Sequence, residues 1–187
     1  MGTHYFYALA LPKNAKKQME QICGLLRKDL PFNRWVHSDD LHITLAFLGD
    51  AKEDKLSDSI LRLEKEWNHR SFSLEIRHLG VFGKSDSPRI LWAGHTPEPC
   101  LANIRDHVYS VCTDSGFKLE TRPFKPHVTL ARKWGGDFPF SRELLEQKDP
   151  FAASPLLFEA EKVVLYKTNM GKEPKYEEMK AFPLIGR

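Results

Sequence analysis

The chain carries one tetrapeptide pattern twice, first at His42-Ile43-Thr44-Leu45 and again in its second half at His127-Val128-Thr129-Leu130. Each copy lies in a short run of apolar and β-branched residues, which favours an extended strand. Side chains at positions i and i+2 of a strand leave the same face, so each His and its Thr point one way and the apolar residues point the other. The fold must therefore cover two apolar strand faces and leave two imidazole and hydroxyl faces to line a cleft.

Two imidazoles that meet across a cleft suit acid and base catalysis near neutral pH, because the unperturbed pKa of His is about 6.5. One neutral and one protonated ring can serve the two sides of a single displacement, as the cleavage of a phosphodiester requires. Hydroxyl groups beside them can donate to phosphate oxygens. We therefore predict His42 and His127 as catalytic residues and Thr44 and Thr129 as substrate-binding residues. This arrangement needs no metal ion and no cofactor.

Other interpretations of these residues are weaker. A zinc site needs three or four ligands, and no carboxylate or third His stands at a comparable spacing. Five other histidines, at 37, 69, 78, 95 and 107, are typical of hydrogen-bonded structural residues. Arg132 would point away from the cleft in a regular strand, and only a bulge or the end of the strand would return it as a substrate-binding residue. Phe6, Tyr7 and Phe47 fit core positions better than base-stacking positions.

The composition describes a folded protein with little net charge. The 187 residues include 41% apolar and 11% aromatic residues and carry a formal charge of +3. That charge is too small to indicate a nucleic-acid-binding protein, although basic residues flank the second motif at Arg122, Lys125, Arg132 and Lys133. No apolar run is long enough to cross a membrane and no signal peptide is recognisable, so we expect a cytoplasmic protein without membrane contact. The three cysteines, widely spaced, are expected to be small buried or half-buried apolar residues rather than disulfides or zinc ligands.

The periodicity predicts an alternation of strands and helices. Strands are expected at 5–11, 35–37, 42–49, 71–82, 89–94, the second motif, 158–166 and 176–182, and helices at 14–28, 53–67, 97–115 and 141–147. Each motif strand follows a helix, so the two halves resemble diverged copies of one unit. We predict an α+β fold in which residues 1–187 form a single bilobal domain, with helices on the outer faces and a central cleft.

The motif blocks together resemble those of the two-histidine phosphoesterases, and within them the RNA 2′,3′-cyclic phosphodiesterases, also called 2′-5′ RNA ligases. The resemblance covers nearly the whole chain. Its blocks are the opening strand 6–12, Asp40 to Gly49 around the first motif, Pro88 to Trp92, and Phe124 to Arg132 around the second motif. A single His-x-Thr would be weak, but the blocks are specific in combination.

The resemblance implies two antiparallel sheets around a V-shaped groove with the motifs at its floor. It further implies that His127 is the proton acceptor that activates water and that His42 is the proton donor to the departing ribose oxygen. Thr44, Thr129 and Arg132 would contact the phosphate, and the product would be a 2′-phosphate. The partners would be RNA 3′ ends or small cyclic nucleotides bound by a monomer.

Three functions remain open from the sequence. The first is hydrolysis of a terminal 2′,3′-cyclic phosphate without a metal ion. The second uses the same site for 2′-5′ RNA ligation or for small cyclic nucleotides, since water and a ribose hydroxyl can attack through one transition state. The third is an RNA-end-binding protein without activity, which the two intact histidines disfavour, because Arg binds phosphate better than a titrating imidazole does.

Overall fold

A computed structural model describes residues 3–186, which form a mixed structure of strands and helices. The strands are β1 (His4–Ala10), β2 (Phe32–Trp35), β3 (His42–Asp50), β4 (Phe72–Gly83), β5 (Pro88–His95), β6 (Val128–Trp134), β7 (Leu156–Ala160), β8 (Lys162–Thr168) and β9 (Tyr176–Pro183). The helices are α1 (Lys13–Asp29), α2 (Glu53–Glu66), α3 (Pro99–Asp114) and α4 (Arg142–Lys148), with a short 3-10 helix at Ser38–Asp40.

The strands pair in the order β7-β4-β5-β6-β3-β1-β8-β9, with β2 beside β6, and these pairs are antiparallel. This order divides into two lobes at its centre. The first lobe holds β3, β1, β8 and β9, and the second holds β6, β5, β4 and β7. The paired residues that join the lobes are Ile43 of β3 and Val128 of β6. The predicted α+β class with antiparallel pairing is confirmed, but the strands form one nine-stranded sheet rather than two, because this pair joins β3 to β6.

The helices cover one face of the sheets because each carries an apolar stripe. The stripe of α1 consists of Ala15, Met19, Cys23 and Leu26, and that of α3 includes Leu101, Ile104, Val108 and Val111. Helix α1 follows β1 of the first lobe but contacts β7 of the second, while α3 follows β5 of the second lobe and packs against β3 of the first. Each lobe therefore packs against a helix that follows a strand of the other lobe, and this packing holds the lobes together.

Two predicted strands are wrong in position or extent. The run 158–166 is not one strand but the end of β7 and most of β8, which are separated at Glu161 and pair with β4 and β1 respectively. In β8 the consecutive residues 163–166 are all buried, so this half of the run lacks the alternation of a strand with one exposed face. The strand expected at 35–37 lies earlier, at Phe32–Trp35, where it pairs with β6.

The cysteine prediction holds for two positions of three. Cys23 and Cys112 are buried, whereas Cys100 is exposed in the first turn of α3. Within residues 3–186, no helix is both long and apolar enough to cross a lipid bilayer.

Candidate active site

The pairing of Ile43 with Val128 places both motifs at the floor of the cleft. Both apolar side chains are fully buried in the core. The neighbouring His and Thr of each motif therefore project from the opposite face of the sheet. In a regular antiparallel pair, residues diagonal to one another across two strands lie about 7–8 Å apart. The register makes the two histidines diagonal neighbours, which leaves room for a phosphoryl group between the rings.

His42 is held from both sides of its ring. Nδ1 donates to the Asp40 carbonyl at 2.7 Å, so the lone pair of the neutral ring lies on Nε2, which accepts from the Thr44 hydroxyl at 3.1 Å. The buried Phe6 ring lies 4.8 Å from the imidazole, and Tyr176 meets it edge-on at 5.2 Å. Aromatic walls thus exclude water from this imidazole on the side of the first lobe.

Burial lowers the pKa of His42 to about 4. The carbonyl and the carboxylate of Asp40 oppose this shift, while Lys16 and Lys175 add to it. Asp39 and Asp40 precede this ring in the sequence, and a nearby carboxylate favours a protonated imidazole. That effect exists for Asp40, but loss of hydration outweighs it, because a charged group in an apolar site loses more from desolvation than one nearby carboxylate returns. His42 is therefore neutral at pH 7 when the cleft holds no anion.

His127 is oriented in the same manner in the second lobe. Its Nδ1 donates to the Lys125 carbonyl at 2.7 Å, which leaves the lone pair of the neutral ring on Nε2. Phe82 meets the imidazole edge-on at 5.0 Å and Trp92 lies 6.0 Å away. Burial is the main cause that lowers the pKa of His127, and the Arg132 guanidinium lowers it further. The neutral form of this ring is thus favoured chiefly by its burial against these aromatic rings.

Gly80 makes room for the wall behind His127. It pairs with Trp92 across β4 and β5, and a Cβ atom at this position would overlap the indole ring. The absence of a side chain lets the indole lie flat over the strand, next to Phe82 at 5.0 Å. Glycine therefore serves here for close packing.

A bulge in each motif strand sets which later residue faces the cleft. In β6 the partners of Trp92 and Leu91 are Thr129 and Ala131, so Leu130 is the extra residue. In β3 the partners of Tyr7 and Ala8 are Ala46 and Thr44, so Leu45 is the extra residue there. Each bulge puts two consecutive buried residues on the core side and reverses the alternation that follows. Arg132 and the equivalent Phe47 consequently face the cleft, which is the condition that the sequence required for Arg132.

A cavity of about 250 Å³ opens beside the paired motifs. Four of the five predicted site residues line it, namely His42, Thr44, Thr129 and Arg132. The rest of the lining comes from both lobes and consists of His4, Phe6, Val36, Asp40, Phe47, Thr168 and Tyr176. His127, the fifth, is not part of that lining and stands beyond Thr129 on the same strand face. The cavity therefore surrounds His42 much more than His127.

Sequence reasoning missed the support of the first lobe. The buried carboxylate of Asp40 accepts from the backbone N–H groups of Lys175 and Tyr176 at 3.1 and 3.0 Å. These bonds join the residue that orients His42 to the start of β9, and so bring the Tyr176 ring to the imidazole. No sequence pattern signals this contact, because the partners are far apart along the chain.

The structure shows which of the other aromatic and histidine residues lie in the core and which line the cavity. Tyr7 is a core residue that hydrogen-bonds Ser59 at 2.9 Å, and Phe6 is buried, whereas Phe47 has 53% of its surface exposed in the cavity lining. His37 and His95 form hydrogen bonds to backbone groups one or two residues away, His69 and His107 hydrogen-bond each other, and His78 packs edge-on against Trp92. Among the described residues, no three His, Cys, Asp or Glu side chains are grouped to hold a metal ion.

Paired lobes with one half-buried imidazole each, packed against aromatic rings, define a two-histidine phosphoesterase type of site. A family model described as LigT like Phosphoesterase matches residues 9–92 and 96–176. The chain therefore belongs to the LigT-like phosphoesterase family.

Relatives and solved structures agree with this assignment. The chain is 43% identical over 185 residues to an RNA 2′,3′-cyclic phosphodiesterase of Geobacillus stearothermophilus, covering 98% of this chain and 58% of that protein. It is 34% identical to the protein of that name from Bacillus subtilis, covering 97% of this chain and 96% of the relative. The structure of E. coli LigT with 3′-AMP superposes with a TM-score of 0.76 at 25% identity, covering 98% and 99% of the two chains.

Proposed function

We propose that this protein opens the 2′,3′-cyclic phosphate at RNA 3′ ends by hydrolysis and leaves a 2′-phosphate. The observation that carries the proposal is the matched orientation of the two rings. Each imidazole donates from Nδ1 to the carbonyl of the second residue before it, Asp40 or Lys125, and so has Nε2 left for proton transfer. The names of the Geobacillus and Bacillus relatives and the 3′-AMP bound by E. coli LigT support a nucleotide substrate.

In the proposed reaction His127 is the proton acceptor. Its Nε2 lone pair takes a proton from water as the water oxygen bonds to phosphorus, and the bond from phosphorus to the ribose 3′ oxygen breaks. His42 is the proton donor to that departing oxygen. The cavity surrounds His42, so a terminal nucleoside placed there brings its leaving oxygen to this ring. The position of the cavity beside His42 supports this division of roles.

The neutral state of His42 in the empty site is compatible with this role. A phosphate that enters the cavity brings a negative charge next to the ring, and an opposite charge raises the pKa of an imidazole. When Nε2 gains its proton it no longer accepts from the Thr44 hydroxyl, which is then available to donate to a phosphate oxygen. Thr129 and Arg132 line the same cavity and complete the phosphate site. Substrate binding thus creates the acid that the reaction needs.

We further propose that the two lobes act as one domain in a monomer, because each lobe supplies one imidazole to the same phosphate. The leading test is phosphorus NMR of the product from an oligoribonucleotide that ends in a 2′,3′-cyclic phosphate. We expect a 2′-phosphate, formed at an unchanged rate in excess EDTA. A 3′-phosphate product, or no turnover, contradicts the proposal, and a 2′-5′-linked product formed with an added 5′-hydroxyl oligonucleotide supports ligation instead.

A further inference from the structure

Arg34 and Arg132 face each other directly across strands β2 and β6. Residues that are opposite in an antiparallel pair share one face of the sheet, with Cβ atoms about 4.5–5.5 Å apart, and like charges in this arrangement destabilise the pair. Both side chains are exposed. Within residues 3–186, neither guanidinium lies within 4.0 Å of a carboxylate as an ion pair. The fold therefore holds two uncompensated positive charges side by side.

The pair lies at the edge of the proposed active site. Arg132 lines the cavity, and so does Val36, which follows β2 and whose N–H donates to the Leu130 carbonyl at 2.8 Å. Arg34 shares a sheet face with Arg132 but is not part of the cavity lining, so the pair places a second positive charge at the edge of the cavity. This position is one side chain beyond the group that contacts the reacting phosphate.

Apolar groups continue the same row on the other side. Across β6 and β5, Arg132 is paired with Ile90, and across β5 and β4, Ile90 is paired with Phe82. The row therefore passes from two guanidiniums to an aliphatic and then an aromatic side chain, all on one face. Proteins that bind single-stranded nucleic acid combine these elements, with positive charge along the phosphates and aromatic surface beneath the bases.

We propose that Arg34 binds the phosphodiester group on the 5′ side of the terminal nucleotide while Arg132 binds the cyclic phosphate. Neighbouring phosphates of one strand then neutralise neighbouring guanidiniums, which accounts for the repulsive pair. This inference rests on the proposed function, since it assigns a second subsite for the same RNA end. The protein would therefore use an RNA strand better than a cyclic mononucleotide.

The kinetic test compares two substrates, a 2′,3′-cyclic mononucleotide with a free 5′-hydroxyl and a dinucleotide that ends in the same cyclic phosphate. For Arg34→Gln we expect kcat/KM to fall about tenfold with the dinucleotide, as for the loss of one charge-assisted hydrogen bond, and less than twofold with the mononucleotide. Arg34→Lys should restore part of the loss because it keeps the charge without the planar fork. Arg62→Gln, at an exposed arginine of α2 that pairs with Asp58, is the matched control and should leave both substrates unchanged. Equal losses on both substrates, or none on the dinucleotide, would overturn the assignment.

A binding measurement separates failure of this subsite from failure of the proposed activity. Fluorescence anisotropy of a labelled tetranucleotide that ends in a 2′-phosphate gives the affinity at several salt concentrations. Loss of one contact to a single strand should reduce the slope of log affinity against log salt by about 0.7 in Arg34→Gln. If the wild-type protein hydrolyses neither substrate, the proposed activity is wrong, and an unchanged salt slope in Arg34→Gln then rejects the subsite independently.

Discussion

Each candidate catalytic imidazole is fixed through the same backbone interaction. Nδ1 of His42 and of His127 donates to a carbonyl in the turn just before its strand, and an aromatic wall packs against each ring. The carbonyl selects the tautomer and the wall excludes water. Both effects concern a few neighbouring atoms, so they can be tested one side chain at a time.

Replacing either imidazole by alanine should lower kcat by about 10²–10⁴-fold, the range for loss of one general acid or base. The two losses should not multiply in the double variant, since the rings act on one transition state. A substrate with a better leaving group in place of the 3′ oxygen should rescue His42→Ala more than His127→Ala, because a good leaving group needs no proton. Steady-state kinetics with circular dichroism as a folding control gives the comparison, and preferential rescue of His127→Ala would reverse the roles.

The pH dependence should differ between the free and the occupied site. In the free protein the pKa of His42 is about 4 and that of His127 is also lowered. The state with one protonated and one neutral ring therefore forms only under acidic conditions. We expect kcat/KM to be highest below about pH 6.5 and to fall as the pH rises, because the acid loses its proton. Bound phosphate raises the pKa of His42, so the falling limb of kcat should lie at higher pH than that of kcat/KM. Coincident limbs in rate profiles from pH 5 to 9 would contradict this account.

At the scale of strands, the two bulges decide which residues reach the cleft. The alternating pattern correctly predicted both motif strands and the cleft-facing His and Thr residues. It could not place Arg132, because Leu130 and Ala131 are both apolar and nothing in their order shows that both face the core. The structure resolves this point and adds Phe47 at the matching position of the first motif.

Other strand features escaped prediction because they depend on partners distant in sequence. Alternation indicates which face of a strand is buried but not which strand lies beside it, so the pairing of β2 with β6 and the division of 156–168 into β7 and β8 were not accessible. Asp40 reads locally as a turn residue, and its bonds to the start of β9 exist only in the folded chain. The residues of the motifs and the strand faces they occupy were thus predictable, whereas the contacts from distant parts of the chain that hold them in place were not.

The pairing of β4 with β5 offers a direct test of the wall behind His127. Gly80→Ala should displace the Trp92 indole, since the new Cβ atom would overlap a rigid ring. Overpacking of this kind costs about 1–3 kcal/mol of unfolding free energy, and the shifted indole should also lower kcat by loosening the imidazole. Gly24→Ala is the matched control, because no other group lies near a Cβ atom there and alanine favours the helix by up to about 1 kcal/mol. Urea unfolding and kcat of both variants check the contrast; unchanged kcat in Gly80→Ala would show that the indole does not position His127.

Over the whole molecule, the first lobe depends on a contact that joins the start of β3 to the start of β9. Asp40→Ala leaves two backbone N–H groups without their acceptor, which should cost about 1–3 kcal/mol. Tyr176 should then move from the His42 ring and kcat should fall. Asp40→Asn keeps one acceptor oxygen and should lose less on both measures. Thermal unfolding and kcat test the two variants together, and a loss of stability with unchanged kcat would limit Asp40 to a structural role.

The two lobes meet at the floor of the cleft through one pair of residues, Ile43 and Val128. Strands β3 and β6 are paired only here, so the cleft is narrowest at this floor and wider toward its outer edges. The two imidazoles lie beside this pair, at the floor of the cleft. Helices α1 and α3 each pack against a strand of the opposite lobe, so the spacing of the two imidazoles is held by the core as well as by this one pair.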